Sequence, residues 1–266
     1  MGKQFQQAPS IKTESEISKI EKACRIVAET FNEVEKYMQA GITTIEIDRI
    51  AEDFIRTKGG IPAFKGYGDK DMPFPNTLCI SIDKEVVHGI PGKRKLETGQ
   101  IISVDCGCLL DGYYGDSAVT YKVGEISEEK KKLLEVTEKS LFLGIEQAKS
   151  KNKVYDISRA IQEYVEMNGF SVTRELVGHG IGKNLHEEPP IPNFVPPLLH
   201  RSKYPNVRLE SGMTIAIEPM VHAGSRFVKT ARDGWTVYTA DGKPAAHFEH
   251  TIAINEGNPI ILTLRN

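Results

Sequence analysis

Two ten-residue stretches far apart in the chain are nearly the same sequence, and each ends in an acid. Leu96 to Asp105 reads LETGQIISVD, and Leu209 to Glu218, 113 positions later, reads LESGMTIAIE. A second set recurs at almost the same offset: Ile47, Arg49, Phe54, Ile55 and Gly59 return as Ile157, Arg159, Tyr164, Val165 and Gly169, 110 positions on. The chain is therefore a diverged tandem duplication, and the fold of one half must be one that the other can repeat. Each half places a carboxylate at the end of an apolar strand and supplies another acid soon after, Asp116 in the first and Glu249 in the second. Four acids brought together repel strongly and need a compensating charge such as divalent metal ions.

At 266 residues the chain is long enough for one large domain or two average ones, and the duplication favours one fused unit. With 39% apolar residues, 26% charged residues and a formal charge of −2, nothing in the composition calls for a nucleic acid or an anionic membrane as partner. The opening MGKQFQQAPSIKTESEISKI lacks the apolar core of a signal peptide, and no apolar run approaches the roughly 20 residues a membrane span needs. A cytoplasmic location is expected. Gly2 resembles a myristoylation start, but Gln6 stands where Ser or Thr is wanted. The cysteines Cys24, Cys79, Cys106 and Cys108 form no CxxC pair, so free buried thiols are expected. Cys106 and Cys108 alternate with Asp105 along a strand and so point to the opposite face.

Thr13 and Glu16 have capping-box spacing ahead of Ile20, Cys24, Val27, Phe31, Val34 and Met38, which predicts an amphipathic helix over about 14–39. Ile47, Ile50, Ala51, Phe54 and Ile55 mark a second helix, closed by Gly59 and Gly60. The second half repeats the plan with one stripe of Leu134, Thr137, Leu141, Ile145 and Ala148 and another of Ile157, Ala160, Ile161, Tyr164 and Val165, closed by Gly169. Short β-branched strands are expected at Leu78–Ile82, Ile101–Leu110, Tyr113–Val123, Met213–Ile217 and His247–Ile254. Helices in blocks ahead of hairpin-linked strands give an α+β fold, four helices packed on a mainly antiparallel sheet with pseudo-twofold symmetry. Pro189 to Tyr204, with five prolines, reads as an ordered surface loop.

Asp111-Gly112 is a strong two-residue hairpin signal. With that turn Leu110 faces Tyr113 and Gly107 faces Asp116, so Asp105 and Asp116 are diagonal neighbours on one face, about 7–8 Å apart at the backbone, where two carboxylates can share a cation. GHGIGKNLHEEPP carries His179 and His186, and the three glycines around His179 imply a backbone that something approaches closely. Imidazole beside carboxylates selects Mn, Fe, Co or Zn over Ca or Mg. VVHGIPG adds His88. His200, His222, His247 and His250 are read as structural, with His250, adjoining Glu249, the best placed to support a ligand.

Five blocks, VVHGIPG, VDCGCLLDGYYGDSA, GHGIGKNLHEEPP, TIAIEPM and HFEHTIAI, make the chain from about Glu14 onward resemble the type I methionine aminopeptidases of bacterial type. The resemblance implies the pita-bread fold, as a single catalytic domain over 14–266 behind an N-terminal extension of 1–13. It implies two divalent ions (Co, Mn, Fe or Zn) held by Asp105, Asp116, His179, Glu218 and Glu249, with Asp116 and Glu249 bridging them. Glu218 would be the general base. His88 and His186 would contact the substrate and stabilise developing charge, and Phe64, Tyr67, Phe74, Cys79, Leu185 and Trp235 would form the methionine pocket, whose soft apolar walls suit a thioether. The activity implied is removal of the initiator methionine from nascent polypeptides, met at the ribosome, when the second residue is small. Four departures stand out: a longer GDKDMP segment after Tyr67, an extended loop after Phe194, Leu185 where an aromatic is common, and Asp83 where asparagine is common. Prolidase and aminopeptidase P share the fold and a similar metal set, but carry an arginine near the last glutamate where this chain has HFEHT. A non-catalytic pita-bread binding protein would lack a ligand or carry basic extensions, and neither is seen.

Overall fold

The first two helix starts are each set by a local hydrogen-bond trade. In the computed structural model, which describes residues 8–265, Thr13 Oγ1 accepts from Glu16 N at 3.3 Å while Glu16 Oε2 accepts from Thr13 N at 3.0 Å. Thr43 and Glu46 form the same capping box ahead of the second helix. These residues start α1 (Glu14–Glu35) and α2 (Thr44–Thr57), and the second half repeats the pair as α3 (Glu128–Gln147) and α4 (Val154–Met167). Residues 1–7, which include Gly2, Gln6 and the start of the expected extension, lie outside the described residues. The rest of that extension packs on the domain, with Lys12 N donating to Gly212 O at 2.8 Å and Lys12 Nζ paired with Glu187 at 2.8 Å.

Helix α1 stops at Glu35, three residues before Met38, the last residue of the periodic set. Tyr37 N and Met38 N donate to Val34 O and Glu35 O, an i→i−3 tightening that ends the helix while leaving Met38 packed on the core. One contiguous apolar core draws on Phe31 and Val34 of α1, Ile47 and Ile55 of α2, Leu133 and Leu141 of α3, and Ile157 and Ile161 of α4. Full burial of such side chains contributes about 1.5–3 kcal/mol each.

The helices lie against a nine-stranded sheet in which all pairings are antiparallel. From one edge its main path runs Ile61–Pro62, Ile101–Leu110, Tyr113–Lys122, Glu249–Ala253, Thr214–Ile217, Gly178–Gly180, Glu187–Ile191; Leu78–Ile82 also pairs with Ile101–Leu110, and Ile260–Ile261 with Glu249–Ala253. The two halves meet at the pairing of Tyr113–Lys122 with Glu249–Ala253. Register across the hairpin is the expected one: Leu110 faces Tyr113, Gly107 faces Asp116 and Asp105 faces Ala118.

The duplication persists hydrogen bond by hydrogen bond. Gly99 N donates to Val123 O and Val123 N to Gln100 O, both at 2.9 Å; Gly212 N donates to Ile254 O and Ile254 N to Met213 O, both at 2.9 Å. Gly41 N and Leu96 N exchange bonds with Leu96 O and Ile42 O, and Lys151 N and Leu209 N do the same with Leu209 O and Asn152 O. Gly99 and Gly212 share a left-handed φ of 93° and 92°, which explains why glycine survives at both.

The proline-rich segment differs from its expectation. Glu187–Ile191, with Pro189 and Pro190, is a sheet-edge strand, paired with Gly178–Gly180 through a register shift. Prolines are tolerated there because an edge strand at an irregularity has N–H positions that the ladder does not need. Beyond it, Phe194 and Tyr204 are buried in the core.

Candidate metal centre

The join between the halves holds two of the acids. Glu249 opens its strand opposite Ala118, two residues from Asp116 on the neighbouring strand, and both acids are buried. Hydroxyls strap the strands together: Thr251 Oγ1 donates to Asp116 O at 2.7 Å, and Ser117 Oγ donates to Glu249 O at 2.5 Å. Asp105 lies diagonal to Asp116 in the adjacent strand. Glu218 follows the strand Thr214–Ile217, its carbonyl held by Asn193 Nδ2 at 2.9 Å.

His179 reaches the same place from the strand Gly178–Gly180, opposite Ala216. Its Nδ1 lies 2.9 Å from Gly180 O, and because a carbonyl can only accept, Nδ1 carries a proton, so that in the neutral ring Nε2 keeps its lone pair. That lone pair stands 4.0 Å from Asp116 Oδ2 and 3.8 Å from Glu218 Oε1. The flanking glycines are required by the sheet itself: a Cβ on Gly178 would sit 2.4 Å from Ala216 O, and one on Gly180 2.1 Å from Glu188 O.

Asp105 Oδ1, Asp116 Oδ1, Glu249 Oε1 and His247 Nε2 are buried with no hydrogen-bond partner. Each such group costs about 1–3 kcal/mol unless something pairs with it. Burial pushes the Asp105 carboxyl up to about 7, with the Glu218 charge adding to the rise and His247 opposing it. Burial also lifts Glu218 to about 7, and holds Asp116 and Glu249 well above the carboxylate range with help from their acidic neighbours. Among the described residues, ligand atoms lie within 4.8 Å of one another in two triads, Asp116–His179–Glu249 and Glu218–His247–Glu249. Oxygen and imidazole donors, converging and without partners, fit first-row divalent ions.

His88 and His186 flank this cluster. His88 has a left-handed φ of 58°, its ring edge-on to Trp235 at 6.3 Å, and burial pushes its imidazole down to about 4, so it is neutral. The His186 ring lies 4.3 Å from that of His179, and its Nδ1 bonds the Tyr67 hydroxyl at 2.5 Å. Phe64, Phe74, Cys79 and Leu185 form an apolar cluster separate from the main core, with Trp235 packed against it. Tyr67, 38% exposed, is tied to the cluster by backbone hydrogen bonds with Phe64 and Phe74 and through its hydroxyl to His186. The longer segment after Tyr67 folds as a small hairpin, Gly68–Asp69 with Met72–Pro73, and Trp235 Nε1 donates to Met72 O at 3.2 Å. Ile181, Ala63, Ile90 and Tyr114 belong to the same cluster, although none was among the expected pocket residues.

Of the remaining candidates, Asp83, His222 and His250 have structural partners and His200 is exposed in a 3-10 turn, which leaves one exception. All four cysteines are free and buried, with Cys106 and Cys108 in the main core on the face away from Asp105. Asp83 pairs with Lys130 and accepts from Ile101 N at 3.1 Å. His222 bonds Thr173 and Ser225. His250 does not support Glu249: it bonds Thr263 at 2.9 Å and packs on Phe142, on the opposite side of its strand. The exception is His247, which faces the acids. Its position two residues before Glu249, on the same face of an extended segment, is the signal that identifies it.

Residues 18–256 match metallopeptidase family M24. The chain is 55% identical over 252 residues to methionine aminopeptidase 1 of Bacillus subtilis, covering 95% of this chain and 98% of that protein. It is 40% identical over 260 residues to methionine aminopeptidase of Escherichia coli, covering 97% and 95%. The crystal structure of methionine aminopeptidase from Thermotoga maritima superposes with a TM-score of 0.91 at 44% identity, covering 97% of this chain and all of that one. Prolidase from Pyrococcus furiosus, at 23% identity and a TM-score of 0.77, shares the fold.

Proposed function

The chain belongs to metallopeptidase family M24, and from that premise we propose that it is a methionine aminopeptidase that removes N-terminal methionine from polypeptides whose second residue is small. The observation that carries the reading is the set of unpartnered buried carboxylate oxygens converging with a fixed His179 tautomer beside a separate apolar pocket. Asp105, Asp116, His179, Glu218 and Glu249 would hold two divalent ions, with Asp116 and Glu249, at the join of the halves, shared between them. When bound, such a pair supplies Lewis acidity toward the scissile carbonyl and the attacking water.

The chain's own residues do the rest. Glu218, which follows Thr214–Ile217 and lies 3.8 Å from His179, would take a proton from the attacking water and return it to the leaving amine. His88, neutral, donates an N–H to the peptide as negative charge develops there. Tyr67 Oη and His186 Nδ1 share a hydrogen bond; in the tautomer protonated at Nε2 the hydroxyl donates and Nε2–H is the second donor. Phe64, Phe74, Cys79, Leu185 and Trp235, with Tyr67 at the rim, receive the methionine side chain, and the histidines beside them narrow the room for a second residue. The substrates are nascent chains in the cytoplasm, met at the ribosome. Among the described residues no helix is long and apolar enough to cross a membrane.

Metal-free protein assayed on Met-Ala-Ser should be inactive and regain turnover with Co or Mn. Full activity after exhaustive chelation would overturn the reading.

A further inference from the structure

His247 is the last residue of the strand Ala245–His247 and is held there by both of its backbone groups. Thr120 Oγ1 accepts from His247 N at 2.9 Å and donates to His247 O at 2.7 Å. Thr120 is itself bonded to Ser103 at 2.9 Å. The residue is 2% exposed. From this fixed base Nε2 reaches 3.5 Å from Glu218 Oε2 and 4.0 Å from Glu249 Oε2, and it has no hydrogen-bond partner.

Those separations are too long for the hydrogen bonds of a packed core histidine. They fit two donors on one first-row ion, whose bonds of about 2.0–2.2 Å set neighbouring ligands somewhat over 3 Å apart before they draw in. Glu218 therefore stands between two imidazoles: His179 faces Oε1 at 3.8 Å, and His247 faces Oε2 at 3.5 Å. The two ligand triads have the same make-up, two carboxylates and one histidine, with Glu249 common to both.

We propose that His247 Nε2 is a sixth protein ligand of the metal centre, so that each ion has an imidazole, His179 for one and His247 for the other. The proposal rests on the two-ion reading above. An imidazole at each position biases both toward Co, Fe or Zn and against Mg or Ca, where an all-carboxylate second position would not.

The test is Co(II) titration of the metal-free protein by calorimetry, wild type against His247→Gln, together with anomalous diffraction from crystals of the cobalt-loaded wild type. Wild type should bind two ions. The variant should keep one at near wild-type affinity and bind the other at least ~10-fold more weakly, the least that even losses outside the ligand shell cost. The crystals should show one of two cobalt peaks at bonding distance, about 2.0–2.2 Å, from His247 Nε2. Two ions at unchanged affinity in the variant, or two peaks of which neither is bonded to His247, overturns the proposal and leaves the two-ion reading standing. A single ion in wild type overturns both. Should the variant fail to fold, the wild-type crystals decide alone.

Discussion

At the scale of the residue, the proposed roles separate side chains that would hold metal from side chains that would meet substrate. Asp116 lies at the join of the halves with an unpartnered oxygen and a carboxyl raised by burial and by Asp105. Asp116→Asn should therefore abolish activity by losing metal, since one lost charge weakens both positions; metal analysis showing two tightly bound ions in the variant would refute this. His88 is neutral and lies against Trp235 rather than among the acids. His88→Ala should keep both ions and lose about 10²–10³-fold in kcat, the usual cost of removing a donor aimed at developing charge. The two variants together separate the roles, because equal metal loss in both would place His88 in the ligand set.

Among the elements, the strand Gly178–Gly180 is the most constrained. It is pressed between Thr214–Ile217 and Glu187–Ile191, and a Cβ on Gly180 would meet the Glu188 carbonyl at 2.1 Å. Gly180→Ala should cost a few kcal/mol, as overpacking does, and should weaken metal binding through His179. Thermal unfolding and cobalt titration check both parts, and wild-type values in both would contradict the account. The glycines around His179 are legible in the sequence as a site of close approach, but the approaching groups are neighbouring strands. Helix starts, helix faces and the Asp105–Asp116 register are legible because capping boxes, 3.6-residue periodicity and a two-residue turn are local. The edge strand Glu187–Ile191 is not, since its prolines hide a pairing that only its neighbour reveals. Nor is His247, where adjacency to Glu249 draws attention to His250 although alternation along a strand puts residue 247, not 250, on the acid's face.

For the whole molecule, the duplication is what brings the acids together, and it is legible in the sequence because matched turns, strand ends and helix ends recur at offsets of 110 and 113. The apolar pocket is the least legible part, because Ala63, Ile90, Tyr114 and Ile181 come from four separate segments that only tertiary structure assembles. Collecting acids has a global cost. Asp105 and Glu218 hold protons up to about 7 in the folded metal-free protein, against about 4 in an unfolded chain. The native state then binds more protons than the unfolded state between those values, so stability is highest below that window and falls as pH rises through it. Metal-free protein should unfold several degrees lower at about pH 8 than at about pH 5.5, and divalent metal should remove the difference. A metal-free Tm that rises over this range would contradict the electrostatic account.

Which peptide bond is cut distinguishes methionine removal from proline-directed hydrolysis. The measurement that tests it most directly is kcat/KM of the cobalt- and manganese-loaded protein on Met-Ala-Ser, Met-Leu-Ser and Ala-Pro-Ala. Met-Ala-Ser should be cleaved fastest, Met-Leu-Ser much more slowly and Ala-Pro-Ala slowest. Preference for Ala-Pro-Ala over Met-Ala-Ser would contradict it and assign the chain to proline-directed cleavage.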